Sequence, residues 1–268
     1  MSVFSARDEE LAAHYALCGA ELRARDRDLW LAALYAPVTL RKHVHAIYAF
    51  AGAVGDIAAK VSQPTLGEMR LRWWIDAILD ATEAARAHPT VDALLDTIAA
   101  HGLNREEFAD LLDARSADLY DDSMDSTEAL LEYCRRVAAR PLWWSARCLG
   151  GEDRGATRRA LELAGIAMGL IDVARNLSAG RGGQFAPLDR PSREETSYRA
   201  LVQELAALAQ ERYSLARDLA ATLDEPARVA LLPAARVPLY IERLRAGASE
   251  PSPWRRQWRL WRAARTGI

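Results

Sequence analysis

Tyr48-Ala-Phe-Ala-Gly-Ala-Val-Gly-Asp-Ile-Ala-Ala-Lys60 is a small, apolar stretch that carries a single carboxylate, Asp56, and a single cation, Lys60. It lies within a helical pattern that starts near Thr39, after Pro37, and runs to about Val61. Apolar side chains at 3.6-residue spacing on most of that surface read as a helix packed into a core. The same periodicity continues through nearly all of the chain, and no segment alternates convincingly at period two. The sequence therefore predicts an all-α fold, built around a helix whose only acid is Asp56.

Composition supports this. The chain has 268 residues, half of them hydrophobic, enough to bury one large helical core. Ala, Leu and Arg dominate and favour helix. A formal net charge of -2 provides no global field to attract nucleic acid. Cys18, Cys134 and Cys148 are widely separated and form neither a CxxC motif nor a Cys/His ligand pattern. Their spacing suggests no disulfide framework and fits a reducing compartment, and Cys134 and Cys148 read as buried small apolar residues. The start of the sequence lacks a basic segment followed by an apolar run, and the longest uncharged apolar run, Val44 to Gly55, is too short to span a bilayer. The expectation is a cytoplasmic protein, soluble or peripheral on a membrane surface.

The predicted helices cover Asp8–Arg25, Thr39–Val61, a segment opened by a Thr65/Glu68 capping box and closed before Pro89, Thr90–Gly102, and a segment capped by Asn104 and ending near Tyr120. The loop 121–126 separates the two halves of the sequence. Helices then run from Thr127 to Leu149 with a kink at Pro141, from Ala156 to Asn176, from a Ser192/Glu195 cap to Leu223, from Glu225 to Arg245, and from Trp254 to Arg265. No internal repeat or long linker interrupts them. One all-α domain over 1–268 is expected, with 253–266 a basic Trp/Arg amphipathic helix at its end.

Several segments in order resemble the squalene/phytoene synthase family. They are Asp28-Leu-Trp-Leu-Ala-Ala-Leu-Tyr-Ala-Pro37, His45-Ala-Ile-Tyr-Ala-Phe50, Leu71-Arg-Trp-Trp74, Leu131-Glu-Tyr-Cys-Arg-Arg-Val-Ala138, Gly165-Ile-Ala-Met-Gly-Leu170, Phe185-Ala-Pro-Leu-Asp189 and Ala230-Leu-Leu-Pro-Ala-Ala-Arg236 followed by Tyr240. Order and spacing hold from about residue 26 to 265. The resemblance implies an all-α isoprenoid-synthase-like helical bundle with a central apolar cavity. It also implies two Asp-rich helices that hold Mg²⁺ and a prenyl diphosphate. Mg²⁺ takes hard oxygen ligands, and residues at i and i+4 share a helix face, which suits such a site.

This chain departs from that pattern at both helices. The first site reads Gly55-Asp-Ile-Ala-Ala-Lys60, where the family has Asp-Asp-x-x-Asp-Glu. Gly55, Ala59 and Lys60 replace acids, and Gly52 replaces a basic residue. The second site reads Asp172-Val-Ala-Arg-Asn176, with its acid and amide exchanged, and Gly180 stands where a further acid belongs. The two helices keep two carboxylates where the pattern has about five, too few to offset a multi-metal cluster. If metal is bound at all, the candidate ligands are Asp56, Asp172 and Asn176. Arg41, Lys42 and Arg175 are the candidate diphosphate contacts. Tyr48, Phe50, Trp73, Trp74 and Met168 are the candidate cavity lining, with a packed core as the competing reading.

The pattern of loss is similar to a branch of the family that includes a mitochondrial assembly factor of respiratory complex I. Pro64-Thr-Leu-Gly-Glu-Met-Arg-Leu-Arg-Trp-Trp74 carries that likeness. Asp118, Asp121, Asp122 and Asp125 read as a solvated loop with a helix cap. Gly180-Arg-Gly-Gly183 lacks the Gly-Lys-Ser/Thr of a phosphate loop. At the C-terminus, Trp254, Trp258 and Trp261 fall on one helix face, accompanied by Arg255, Arg259 and Arg262. They are candidates for contact with a membrane or partner.

The leading expectation is a non-catalytic family member with no resident cofactor. It would assist a membrane protein complex and bind an apolar isoprenoid ligand. The alternatives are an active Mg²⁺-dependent prenyl-diphosphate transferase and an isoprenoid or lipid carrier.

Overall fold

The computed structural model describes residues 3–120, 124–182, 185, 195–247 and 250–268. Every regular element among the described residues is helical. The chain divides into two compact units, Met1–Leu119 with Trp144–Gly151, and Tyr120–Trp143 with Glu152–Ile268. The first crossing between them falls between Leu119 and Tyr120, just ahead of the loop 121–126.

The first unit contains α1 (Val3–Arg25), α2 (Arg27–Ala33), α3 (Val38–Gly55), α4 (Ile57–Lys60), α5 (Pro64–Asp80), α6 (Glu83–Arg86), α7 (Pro89–His101) and α8 (Arg105–Arg115), closed by a 3₁₀ turn at Ser116–Leu119. α1 packs on α3 and α7 around Tyr15, Cys18, Ala46, Ala49 and Ala93. The small side chains at 46, 49 and 93 let the helices approach closely. An aromatic group fills the other side of α3. The Phe50 ring lies 5.5 Å from Trp74 and 5.6 Å from Phe108. Trp144 stacks on Phe108 at 3.7 Å, and its indole N–H donates to Glu107 at 2.8 Å.

Polar groups are buried beside this core with partners. Asp92 is fully buried and is held by Arg7, by His14 at 2.9 Å and by Arg86 at 3.0 Å. The Tyr15 hydroxyl donates to Asp96 at 2.7 Å and lies 3.0 Å from His43 Nδ1. Burial, reinforced by His101 and Lys42, pushes His43 down to about 4, so it is neutral at ordinary pH.

The helix predicted over Thr39–Val61 breaks at Asp56. α3 ends at Gly55, and Asp56 turns the chain into the short α4. Sequence reading passed over α2, although Asp26 caps it by accepting hydrogen bonds from the N–H groups of Asp28 and Leu29. The expected Thr65/Glu68 capping box does not form. α5 already begins at Pro64, whose fixed φ suits the first helical position, and this puts Thr65 inside the helix. α5 ends earlier than expected, at Asp80, with Ala81 in the left-handed region at φ 50°. Asn104 caps α8 as predicted, accepting from the N–H of Glu106.

The second unit contains α9 (Thr127–Cys134), a π-helical turn (Arg135–Ala139), α10 (Arg140–Cys148, shared with the first unit), α11 (Gly155–Ser178), α12 (Glu195–Ala220), α13 (Glu225–Leu231), a 3₁₀ segment (Leu232–Arg236), α14 (Val237–Arg245) and α15 (Pro253–Thr266). The predicted kink at Pro141 takes the form of that wide turn just before it. Proline cannot donate to the carbonyl four residues back, so the helix accommodates its irregularity there. Ser192 and the 186–189 part of the Phe185–Asp189 motif lie outside the described residues, as do Asp121, Asp122 and Gly183.

α11 is buried along most of its length and packs chiefly on α12 and on the π-helical turn. Two glycines make this possible. A Cβ on Gly165 would stand 2.2 Å from Ala139 Cα, and one on Gly169 would stand 2.9 Å from Cys134 Cβ. The first neighbour is backbone and cannot swing aside. Gly165→Ala is therefore expected to cost about 2 kcal/mol or more by overpacking. Gly155→Ala, at a position with nothing within 4 Å, should be neutral or slightly stabilising. Urea denaturation of the two variants checks the difference.

Candidate functional site

Asp56 sits at the junction of α3 and α4, where the chain turns, and its side chain is partly exposed. Two cations hold it. Arg25, at the end of α1, donates to Asp56 Oδ2 at 2.7 Å. Lys60, one turn further along, reaches the same oxygen at 3.0 Å. Partial burial raises the carboxyl pKa, but hydrogen bonds and charge from Lys60 and Arg25 outweigh that and hold it below the usual carboxylate range.

The position of Arg25 depends on a missing side chain. A Cβ on Gly52 would lie 2.5 Å from Arg25 Nη1 and 2.7 Å from its Cδ. The guanidinium stem thus runs through the volume that a side chain at 52 would occupy. Gly55 behaves similarly, with Arg115 Nη2 3.3 Å from where its Cβ would be. Arg115 is itself bound to Asp118 at 3.0 Å. Both glycines at this end of α3 therefore face arginines from elsewhere in the unit.

In the second unit, Asp172 is on the exposed face of α11 and pairs with Arg175 at 3.1 Å. Arg175 also binds Glu250 and lies 4.7 Å from the centre of the Tyr240 ring. Burial lowers its pKa, but Asp172, Tyr240 and Glu250 more than compensate and keep it above the ordinary value. Arg256 reaches Glu250 at 2.9 Å and the Tyr240 hydroxyl at 3.3 Å. Asn176 lies in the last turn of the same helix, and its backbone carbonyl accepts from the N–H of Arg181 at 2.8 Å.

The remaining predicted site residues are placed as follows. Arg41 donates to the carbonyls of Leu34 and Ala36, closing the end of α2. The Lys42 ammonium sits 4.6 Å over the Tyr15 ring. Tyr48, Phe50 and Trp74 are buried in the first unit and Met168 in the second, while Trp73 is 43 % exposed. Among the described residues, no group of three or more His, Cys, Asp or Glu side chains is arranged to hold a metal ion. Arg25, Arg115 and Glu250 escaped the sequence reading. The signal for the two arginines was the pair of glycines at 52 and 55, which leave space without saying what fills it.

Because the folded carboxyl of Asp56 titrates below its unfolded value, its ion pairs add stability above the unfolded pKa, near 3.9. That contribution is lost as pH falls through the folded pKa. The carboxylate is partly exposed, so solvent screening limits the effect to about 1 kcal/mol. Wild type should exceed Asp56→Asn by this margin in urea denaturation at pH 7. The two should converge as pH is lowered below 4, and added salt at neutral pH should narrow the gap.

The squalene/phytoene synthase family model matches residues 22–262. Among curated relatives, the chain is 26 % identical over 191 residues to "NADH dehydrogenase (ubiquinone) complex I, assembly factor 6" of Mus musculus, covering 70 % of this chain and 57 % of the relative. It is 27 % identical over 179 residues to the Homo sapiens protein of the same name, covering 66 % and 53 %. The chain thus spans about half the length of these relatives. A shorter match, 31 % over 109 residues, is to the bifunctional protein CrtB/UppS of Streptomyces coelicolor, covering 41 % and 19 %. The fold is similar to that of a dehydrosqualene synthase crystallised with ligand, at TM-score 0.77 and 20 % identity, covering 95 % and 96 %. It is also similar to the squalene synthase HpnC of Alicyclobacillus acidocaldarius, at TM-score 0.67 and 22 % identity, covering 88 % and 95 %. The all-α architecture is accordingly the isoprenoid-synthase fold, and the chain belongs to the squalene/phytoene synthase family.

Proposed function

We propose that this chain is a non-catalytic member of its family that assists assembly or maturation of a membrane respiratory complex, with an apolar, isoprenoid-like molecule as its ligand. The single observation that carries the non-catalytic reading is the double ion pair on Asp56. Arg25 and Lys60 already neutralise the carboxylate, and Arg25 passes through the space over Gly52. A Mg²⁺ ion would have to displace two fixed cations to gain one carboxylate oxygen. Asp172 is likewise engaged by Arg175. These donors do not fit a cluster of Mg²⁺ ions on a diphosphate, which draws on several free carboxylates. The assembly role is supported by the likeness to complex I assembly factor 6, which extends over 191 residues in the mouse protein.

The competing activity is Mg²⁺-dependent condensation of two prenyl diphosphates. Purified protein incubated with farnesyl or geranylgeranyl diphosphate and Mg²⁺ should release no pyrophosphate above the protein-free rate. Deletion of the gene from its host should lower NADH:ubiquinone oxidoreductase activity, and the Asp56→Ala protein should restore it in full. Pyrophosphate release that disappears in both Asp56→Ala and Asp172→Ala would overturn the non-catalytic reading. Unchanged complex I activity on deletion, with isoprenoid binding retained, would replace the assembly role by that of a carrier.

A further inference from the structure

α15 presents two unlike faces. Leu260 and Ala263 are buried against the second unit, where the helix meets the 3₁₀ segment Leu232–Arg236. Three of its arginines fasten it there. Arg255 binds Glu242 at 2.9 Å, Arg256 binds Glu250, and Arg259 donates to the Ala235 carbonyl at 3.2 Å. At 100° per residue, Trp254, Trp258, Trp261 and Arg265 fall on the opposite face, with Arg262 at its edge.

The aromatic face is uncovered. Trp254, Trp258 and Trp261 are 72 %, 51 % and 40 % exposed. Their rings form a stacked row, with centroids 6.4 Å and then 4.8 Å apart and 24° between planes at each step. The Arg265 guanidinium lies 4.2 Å over Trp261 and extends the row. The helix contains five arginines and no acid. Neither Arg262 nor Arg265 has an acidic partner among the described residues.

We propose that this face docks on an anionic membrane surface. Trp is favoured where one end of a ring is apolar and the other wet, as at the headgroup level. Arg262 and Arg265, at the level of the rings, are positioned to meet lipid phosphates. The row follows one helix face for about 16 Å, from Trp254 to Arg265. An extended single face of that kind suits a planar interface. Its cations are complementary to acidic lipid, whereas a second copy of the same face would set arginine against arginine. No helix among the described residues is long and apolar enough to cross a membrane, so the contact is one of lying on the surface. The proposal rests on α15 alone and is independent of what happens at Asp56.

Co-sedimentation of the full chain with vesicles of phosphatidylcholine, with and without phosphatidylglycerol, tests it. Wild type should bind the mixed vesicles, weakly in high salt, and bind pure phosphatidylcholine less. Replacing Trp254, Trp258 and Trp261 together by Ser should weaken binding roughly tenfold or more, with an unchanged circular dichroism spectrum. Arg262→Gln with Arg265→Gln should abolish the preference for phosphatidylglycerol while retaining the Trp-dependent part. Failure of wild type to bind either vesicle, or equal binding by the Trp triple variant, would overturn the proposal. Concentration-dependent dimerisation that the triple variant abolishes, without vesicle binding, would assign the face to a second copy instead.

Discussion

Volume at the Cβ position governs this structure more than any single attractive contact. Gly165 and Gly169 let α11 lie against the π-helical turn and α9, and a methyl group at 165 would overlap backbone. Cores are packed too densely to absorb such an atom without moving a helix. Gly52 and Gly55 use the same absence for another purpose. Space beside α3 is taken by the arms of Arg25 and Arg115. Packing glycines and site glycines are thus physically alike; they differ in whether the neighbour is rigid backbone or a flexible cationic stem.

That difference sets the scale of the electrostatics. Asp92 is fully buried and is held by Arg7, His14 and Arg86. Removing one partner of a buried ion pair costs roughly 3–5 kcal/mol, so this group ties α1, α6 and α7 together. Asp56 is partly exposed, and its two cations contribute far less to stability. In the proposed non-catalytic reading, their effect is on binding. A carboxylate already satisfied by a guanidinium and an ammonium has little left to offer a hard dication. An interaction of minor thermodynamic weight can therefore decide what a site binds.

The fold was legible because helical periodicity extends through the chain and the family-like segments keep their order. Breaks and caps were less so. Thr65-Leu-Gly-Glu68 has the composition of a capping box, but Pro64 claims the first helical position. Asp56 was visible as a lone acid, and Lys60 as a cation in place of an acid. The role of Arg25 was not visible, since it comes from a different helix and its path depends on the empty volume over Gly52. Likewise, no local pattern links Arg175 to Glu250, far along the chain beyond α14. One-dimensional patterns report periodicity and missing ligands; they do not report which distant side chain moves into the gap.

The arginines of this chain divide between two tasks, and geometry separates them. Arg25, Arg175, Arg255 and Arg256 are committed to carboxylates within their own unit. Each such pair spends a cation that could otherwise meet a phosphate. Arg262 and Arg265 stand beside three exposed tryptophans on a helix without acids. Positive charge is thus neutralised at Arg175, a candidate diphosphate contact, and at the arginines that fasten α15, and in the proposed reading it is left available at the exposed aromatic face. A protein that had exchanged diphosphate chemistry for work at a membrane would need that redistribution, because a cation shared with a carboxylate attracts little further anion.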